Sequence, residues 1–256
     1  MLAHLVIAMC IATPPAAAPR HVAYEVRKVS GVWCHVVRID LNTHNVKVTG
    51  VLSRAIGVLE SAESLVNRAK PTVAISGTFH GTILKRPIGD VVIDGSPAYR
   101  GHFPSCLAVD WFNRAEIITP KWGKTVDWSN YEFALGGLIR VMRGGKVAPE
   151  VGHNTRHVLK PSSRAAVGIT PQNKLIMIAT RQNVTLSQVG GILKSLGARE
   201  AVCLDGGSST SLYYRGKMLI RPSRQVTNLL VVYEDPLHYE ARRAVLAPTM
   251  KKTARL

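Results

Sequence analysis

The run Cys203-Leu204-Asp205-Gly206-Gly207-Ser208-Ser209-Thr210 constrains this chain more than any other stretch. Ala201 to Leu204 are apolar and end abruptly in a carboxylate. Two glycines and three hydroxyls follow as far as Thr210, and after Ser211 the residues Leu212, Tyr213 and Tyr214 resume a strand-like pattern. The reading is strand, sharp Gly-rich turn, strand. Gly206 and Gly207 permit positive φ and close approach of a ligand. Successive amides in such a turn can form an anion-binding nest, and the hydroxyls add donors and acceptors. A carboxylate beside them can serve a sugar hydroxyl, a water or a reacting carbon. Alone, Asp-Gly is equally an ordinary hairpin turn.

The segment before this turn has a counterpart earlier in the chain. Thr185 and Gln188 form a capping-box pattern. Leu186, Val189, Ile192, Leu193 and Leu196 make an apolar helix face, and Gly197 is placed as a C-terminal cap. Upstream, Val58 to Lys70 reads as a helix with Val58, Ala62, Leu65, Val66 and Ala69 on one face, stopped by Pro71. Thr72 to Ser76 follows as a buried strand, then Gly77-Thr78. Helix, strand and Gly turn thus occur at 58–78 and 185–207. If both strands lie in one parallel sheet, both turns open at its carboxyl edge, where α/β folds bind ligands.

The remaining pattern is mostly β. Residues 22–52 read as a meander, and Ala165–Thr170 with Lys174–Thr180 reads as a hairpin around Pro171-Gln172-Asn173. Residues 81–160 are irregular and rich in Gly, Pro and Trp, and 148–163 reads as a loop. Leu229 to Tyr233 is another buried strand. The expected fold is α/β: a mixed sheet with flanking helices in a single domain over residues 19–235. Residues 236–256 read as a basic tail.

Residues 1–18 contain no charged side chain, carry a short apolar run and end in Ala16-Ala17-Ala18. They read as a secretory signal peptide, too short to span a bilayer, which places the protein outside the cytoplasm. No later run is long enough for a membrane span. The remaining cysteines, Cys34, Cys106 and Cys203, allow one bridge, Cys34 with Cys106, and a free thiol; Cys203 is expected to pack as a small buried residue. No spacing suggests zinc. The net charge of +17, from 33 Lys+Arg against 16 Asp+Glu, favours anionic partners. The chain lacks the interleaved aromatic and basic motif of single-strand nucleic-acid binders, so nucleic acid is disfavoured.

Several segments together resemble the phosphodiester glycosidase family. Leu204-Asp205-Gly206-Gly207-Ser208-Ser209-Thr210 is similar to its L-D-G-G-G-S-T, and Arg164-Ala165-Ala166-Val167-Gly168 to its R-T-A-x-G. Gly136-Gly137-Leu138-Ile139, followed by Gly145-Lys146-Val147, resembles G-G-P-L-L and D-G-K-V. Ser76-Gly77-Thr78-Phe79-His80 resembles N-G-G-F-F, with Ser76 for Asn and His80 for Phe, and Thr227-Asn228 resembles P-N. The resemblance spans about residues 70–233. It implies an exported α/β hydrolase that cleaves a sugar-1-phosphodiester to free sugar and phosphomonoester.

On that basis Asp205 is the expected base or nucleophile and Arg164 the phosphate-binding guanidinium. His80 is a candidate acid or base. Ser76, Gly77, Thr78, Gly136, Gly137, Gly206, Gly207, Ser208, Ser209, Thr210 and Asn228 are expected to line the substrate site. A glycosidase usually needs a second carboxylate, and Asp90, Asp94, Glu132 and Glu150 are all open. His153 and His157 are further acid–base candidates; Trp111, Trp122 and Trp128 are candidates for sugar stacking, or for core anchoring. No cofactor is expected, and a divalent metal is left open. The competing reading is a non-catalytic binder of acidic glycan or cell-wall polymer, supported by Ser76.

Overall fold

A computed structural model describes residues 20–102, 105–120, 124–151 and 158–248. The candidate signal segment, Trp122, His153, His157 and the chain beyond 248 lie outside them. The described chain begins with β1 (Val22–Val29), β2 (Val32–Asp40), β3 (Lys47–Leu52), α1 (Ala62–Ala69), β4 (Val73–Ser76), β5 (Val91–Ile93) and β6 (Ser96–Tyr99). It continues with β7 (Ser105–Asp110), β8 (Ala115–Ile118), β9 (Tyr131–Arg143), β10 (Lys146–Val147), β11 (Ser162–Ile169) and β12 (Lys174–Val184). Then come α2 (Leu186–Ser195), β13 (Glu200–Cys203), β14 (Leu212–Tyr214), β15 (Lys217–Ile220), β16 (Asn228–Tyr233) and α3 (Pro236–Glu240).

Eleven strands form one sheet along β1-β2-β12-β11-β13-β9-β5-β6, with β10 and β7 also on β9 and β8 on β7. Five form a second sheet, β15-β14-β4-β16-β3. The architecture is therefore mainly β, with few helices. The expected mixed sheet is corrected: every strand pair among the described residues is antiparallel. The two short strands β4 and β13 are not neighbours. β4 lies between β14 and β16, and β13 lies between β11 and β9. Their local patterns are alike, but sheet membership is decided by long-range partners.

The two sheets bury a common core, in which Leu204, Ile75, Leu230, Val167 and Phe133 take part. Strands β4 and β16 are buried at every position, as central strands covered on both faces should be. A second cluster packs α2 onto the outer face of the large sheet through Val189, Ile192 and Leu193.

Helix α2 has the capping box read from Thr185 and Gln188. Helix α1 starts later than its apolar pattern suggests. Glu60 makes a bridge to Val226, Ser61 caps the helix by accepting from the Ser64 amide at 3.1 Å, and Val58 is left exposed. Lys70 ends the helix in the left-handed conformation with φ 47°, just before Pro71.

The segment after 235 also differs from its reading as a tail. Asp235 caps α3, Tyr239 is buried against Tyr233, and the Leu246 carbonyl accepts from the Leu52 amide at 2.9 Å. Its apolar residues are too sparse for a periodic pattern, yet Tyr239 and Leu246 are both buried in the main core. The Cys34–Cys106 bridge does not form. Cys34, Cys106 and Cys203 are all free and buried, and the first two belong to separate apolar clusters.

Candidate active site

The chain crosses from the large sheet to the small one through Asp205–Ser211, between β13 and β14. The Gly turn after β4 meets this crossover, because the Asp205 amide donates to the Gly77 carbonyl at 2.9 Å. The two turns thus converge as expected, but from different sheets.

Gly77 is required by this convergence. A Cβ there would sit 1.7 Å from Asn228 Oδ1 and 2.9 Å from the Asn228 carbonyl oxygen. Asn228 Oδ1 accepts from the Thr78 amide at 2.8 Å, and its Nδ2 donates to Thr227 Oγ1 at 2.8 Å. Thr78 Oγ1 donates to the Gly137 carbonyl at 3.2 Å, bringing Gly136-Gly137 of β9 alongside. Ser76 is buried, and its Oγ donates to the Ser209 carbonyl and accepts from the Ser211 amide, both at 2.9 Å. The Ser76 hydroxyl therefore ties the two turns together through backbone atoms.

Asp205 begins the crossover, and Gly207 to Ser209 form a single 3₁₀ turn. Gly207 has φ 59°. Ser163 Oγ donates to the Gly207 carbonyl at 2.9 Å, and Thr210 Oγ1 donates to Ser163 Oγ at 3.2 Å. Ser208 faces solvent.

Two basic side chains flank the Asp205 carboxylate. Arg224 Nη2 donates to Oδ2 at 3.0 Å and to Oδ1 at 3.3 Å, and its Nε donates to Ser209 Oγ. His80 Nδ1 lies 3.4 Å from Oδ2. That separation satisfies an ion-pair distance but not hydrogen-bond alignment, and His80 Nδ1 has no hydrogen-bond partner among the described residues. The side chains of Asp205 and His80 are 6% and 4% exposed, whereas Arg224 is 36% exposed. The cluster therefore has a buried acid–base pair and a guanidinium that reaches solvent.

Arg164 lies close by in a different setting. It is 3% exposed. Its Nη2 donates to the carbonyls of Val158 and Lys160 at 2.6 and 2.7 Å, and its Nε to Val184 at 3.3 Å. These bonds fasten the chain before β11 to the end of β12.

Of the residues whose carboxylates are left open, Asp90 is bonded to the Gly136-Gly137 segment, since its backbone carbonyl accepts from the Gly136 amide at 2.6 Å. Its carboxylate accepts from Trp128 Nε1 at 2.7 Å and from the Gly101 amide at 2.8 Å. Glu132 pairs with Lys47, Glu150 with Arg143, and Asp94 with Arg243. Trp128 is buried, while Trp111 is half exposed and donates to Ser129. No group of three or more His, Cys, Asp or Glu able to hold a metal occurs among the described residues.

Arg224 was missed in the sequence. It sits in Arg221-Pro222-Ser223-Arg224, which reads as a turn before β16. The available signal was its place four residues before Asn228, a residue already assigned to the site.

The chain shares this fold with solved proteins. A hypothetical protein from Synechocystis superposes with a TM-score of 0.71 at 14% identity, covering 85% of this chain. This chain spans only 64% of that protein's length. The catalytic domain of zebrafish N-acetylglucosamine-1-phosphodiester alpha-N-acetylglucosaminidase superposes with a TM-score of 0.65 at 19% identity, over 85% of both chains. At these identities the likeness is one of fold. No curated protein matches by sequence. The family model described as phosphodiester glycosidase matches residues 69–233, more than half of the chain and all of the segments that meet around Asp205. The chain belongs to the phosphodiester glycosidase family.

Proposed function

We propose that this protein hydrolyses the glycosidic bond of a sugar-1-phosphodiester, with Asp205 at the reacting centre. The observation that carries the reading is the Asp205 carboxylate held between Arg224 and His80 where the two Gly turns meet. The family match supports the reaction class, and the activity named for the zebrafish protein supports the substrate class.

Water adds across the bond between the anomeric carbon and the phosphate oxygen. The sugar leaves as the free hemiacetal, and the aglycone retains a phosphomonoester. Asp205 either takes the proton from the attacking water or attacks the anomeric carbon itself, with water releasing the glycosyl ester in a second step. A phosphomonoester is a good leaving group, so stabilising its charge matters more than protonating it. We assign that contact to Arg224 in place of Arg164, because Arg224 reaches solvent and Arg164 is occupied by carbonyls. Arg224 also balances Asp205, so an approaching phosphate does not face an unpaired carboxylate. We assign to His80, whose Nδ1 lies 3.4 Å from Oδ2, the proton exchange with Asp205.

Hydrolysis in ¹⁸O-water tests the reading. Cleavage at the anomeric carbon puts the label in the released sugar. Label found in the phosphate instead would mean phosphorus–oxygen cleavage and would refute it.

A further inference from the structure

A second basic cluster plays no part in this chemistry. An open cavity of about 650 Å³ lies between α1 and the C-terminal segment, walled by Arg54, Arg68 and Arg242 with Ser61, Ser64 and Glu63. Arg68 is anchored by donating to the carbonyls of Leu52 and Val245 at 2.6 and 2.5 Å. The Nε atoms of Arg68 and Arg242 are both buried and have no hydrogen-bond partner among the described residues. Buried guanidinium donors without acceptors are costly unless a ligand supplies them.

The carboxylates nearby are already engaged. Glu60 accepts from the Arg54 amide and from Ser64 Oγ and pairs with Arg68 at 3.4 Å. Glu63 pairs with Arg221. Four arginines thus face two glutamates. Burial pushes the pKa of Arg68 down, Glu60 opposes this, and Arg54 adds to it. The charge balance favours an incoming anion.

The cavity also lies near the Asp205 site. Arg221 pairs with Glu63 on the cavity wall, and Arg224 pairs with Asp205. Leu52, whose carbonyl accepts from Arg68, pairs across β3 and β16 with Asn228, which lies in the Asp205 site. We propose that the cavity is an accessory subsite that holds one phosphate-like oxyanion of a polyanionic substrate while the neighbouring glycosyl phosphodiester sits at Asp205. The substrate class is then a chain of sugars with repeating phosphodiesters. This deepens the function proposed above and rests on it for the chemistry, but the binding can be measured without turnover.

The test is calorimetric titration of the full chain, at fixed ionic strength, with three probes. These are inorganic phosphate, a monomeric methyl sugar-1-phosphodiester, and an oligomer of at least three glycosyl phosphate repeats. The oligomer should bind at least ten-fold tighter than the monomer. Arg54→Ala combined with Arg242→Ala should abolish that gain and leave monomer affinity unchanged. Arg27→Ala with Lys28→Ala, on the exposed β1 edge, removes the same charge elsewhere and should leave the gain intact. An equal loss in that control pair would overturn the proposal, as would an oligomer no tighter than the monomer. Phosphate binding lost in the cavity variant while oligomer affinity holds would assign the cavity to a free anion and also overturn it. Failure of the catalytic reading would show separately, as no hydrolysis of any diester in the ¹⁸O assay with the titrations unaffected.

Discussion

Substituting Gly77 by alanine should be severely destabilising, and the reason is local. The added Cβ would lie 1.7 Å from Asn228 Oδ1, 2.7 Å from its Cγ and 2.9 Å from its carbonyl oxygen. Rotating the Asn228 side chain relieves the first two contacts but not the third, which is backbone. The rotation also removes the acceptor from the buried Thr78 amide. A buried donor left unsatisfied costs about 1–3 kcal/mol, and overpacking with backbone movement adds about 1–3 kcal/mol. The expected loss is therefore about 2–6 kcal/mol. Two glycines in the same turns calibrate it. A Cβ at Gly81 meets nothing within 4 Å, so Gly81→Ala should stay within about 0.5 kcal/mol of the parent. Gly207 also has open space but φ 59°, so Gly207→Ala should cost about 1–2 kcal/mol from backbone strain alone. Urea unfolding of the three variants measures the series. A Gly77→Ala protein as stable as Gly81→Ala would refute the claim that the first turn is locked against Asn228.

The two arginines near Asp205 should separate by readout. Arg224→Ala should lower kcat/KM by about 100-fold or more, since it removes a phosphate contact that reaches solvent, and should also lower the unfolding midpoint, since the buried Asp205 loses its partner. Arg164→Ala should act mainly on stability, lowering it by about 2–4 kcal/mol, because it takes the donors from three carbonyls. Equal loss of activity at unchanged stability in both variants would contradict the assignment. The thiols provide a pH prediction. Burial pushes Cys34 up to about 11 and Cys106 and Cys203 up to about 12. The unfolded chain therefore loses these protons first, and stability should fall as pH rises above about 9, by up to about 1.4 kcal/mol per pH unit per thiol. Cys34, Cys106 and Cys203 should not react with a disulfide reagent at pH 8 until the protein unfolds; labelling of any of the three in the native protein would count against their burial.

The parts of this molecule legible in its sequence are those governed by local chemistry. The Thr185–Gln188 cap, the Asn173 turn of the β11–β12 hairpin and the Gly turn after Leu204 can each be read from adjacent residues. Sheet membership could not. Ala201–Leu204 and Thr72–Ser76 look alike as short buried strands, and only β9, β11, β14 and β16, distant in sequence, assign them to different sheets. Tyr239 and Leu246 were hidden for the same reason: two isolated apolar residues make no period, and their burial depends on a core built elsewhere. At the site, Asp205 stood out because a carboxylate interrupts an apolar run. Arg224 did not, since one arginine among 33 basic residues carries no signal until the fold brings it to Asp205. Ser76 reads as a ligand donor by type, and the structure shows its hydroxyl between the Ser209 carbonyl and the Ser211 amide.

The most direct measurement compares the protein with its Asp205→Asn variant in the ¹⁸O assay, on one sugar-1-phosphodiester at saturating concentration. The asparagine preserves shape and removes the charge. The account expects label in the sugar from the parent protein and a kcat lower by about 100-fold or more in the variant. Undiminished kcat in Asp205→Asn, with label still entering the sugar, would show that the bond is broken without this carboxylate and would contradict the account.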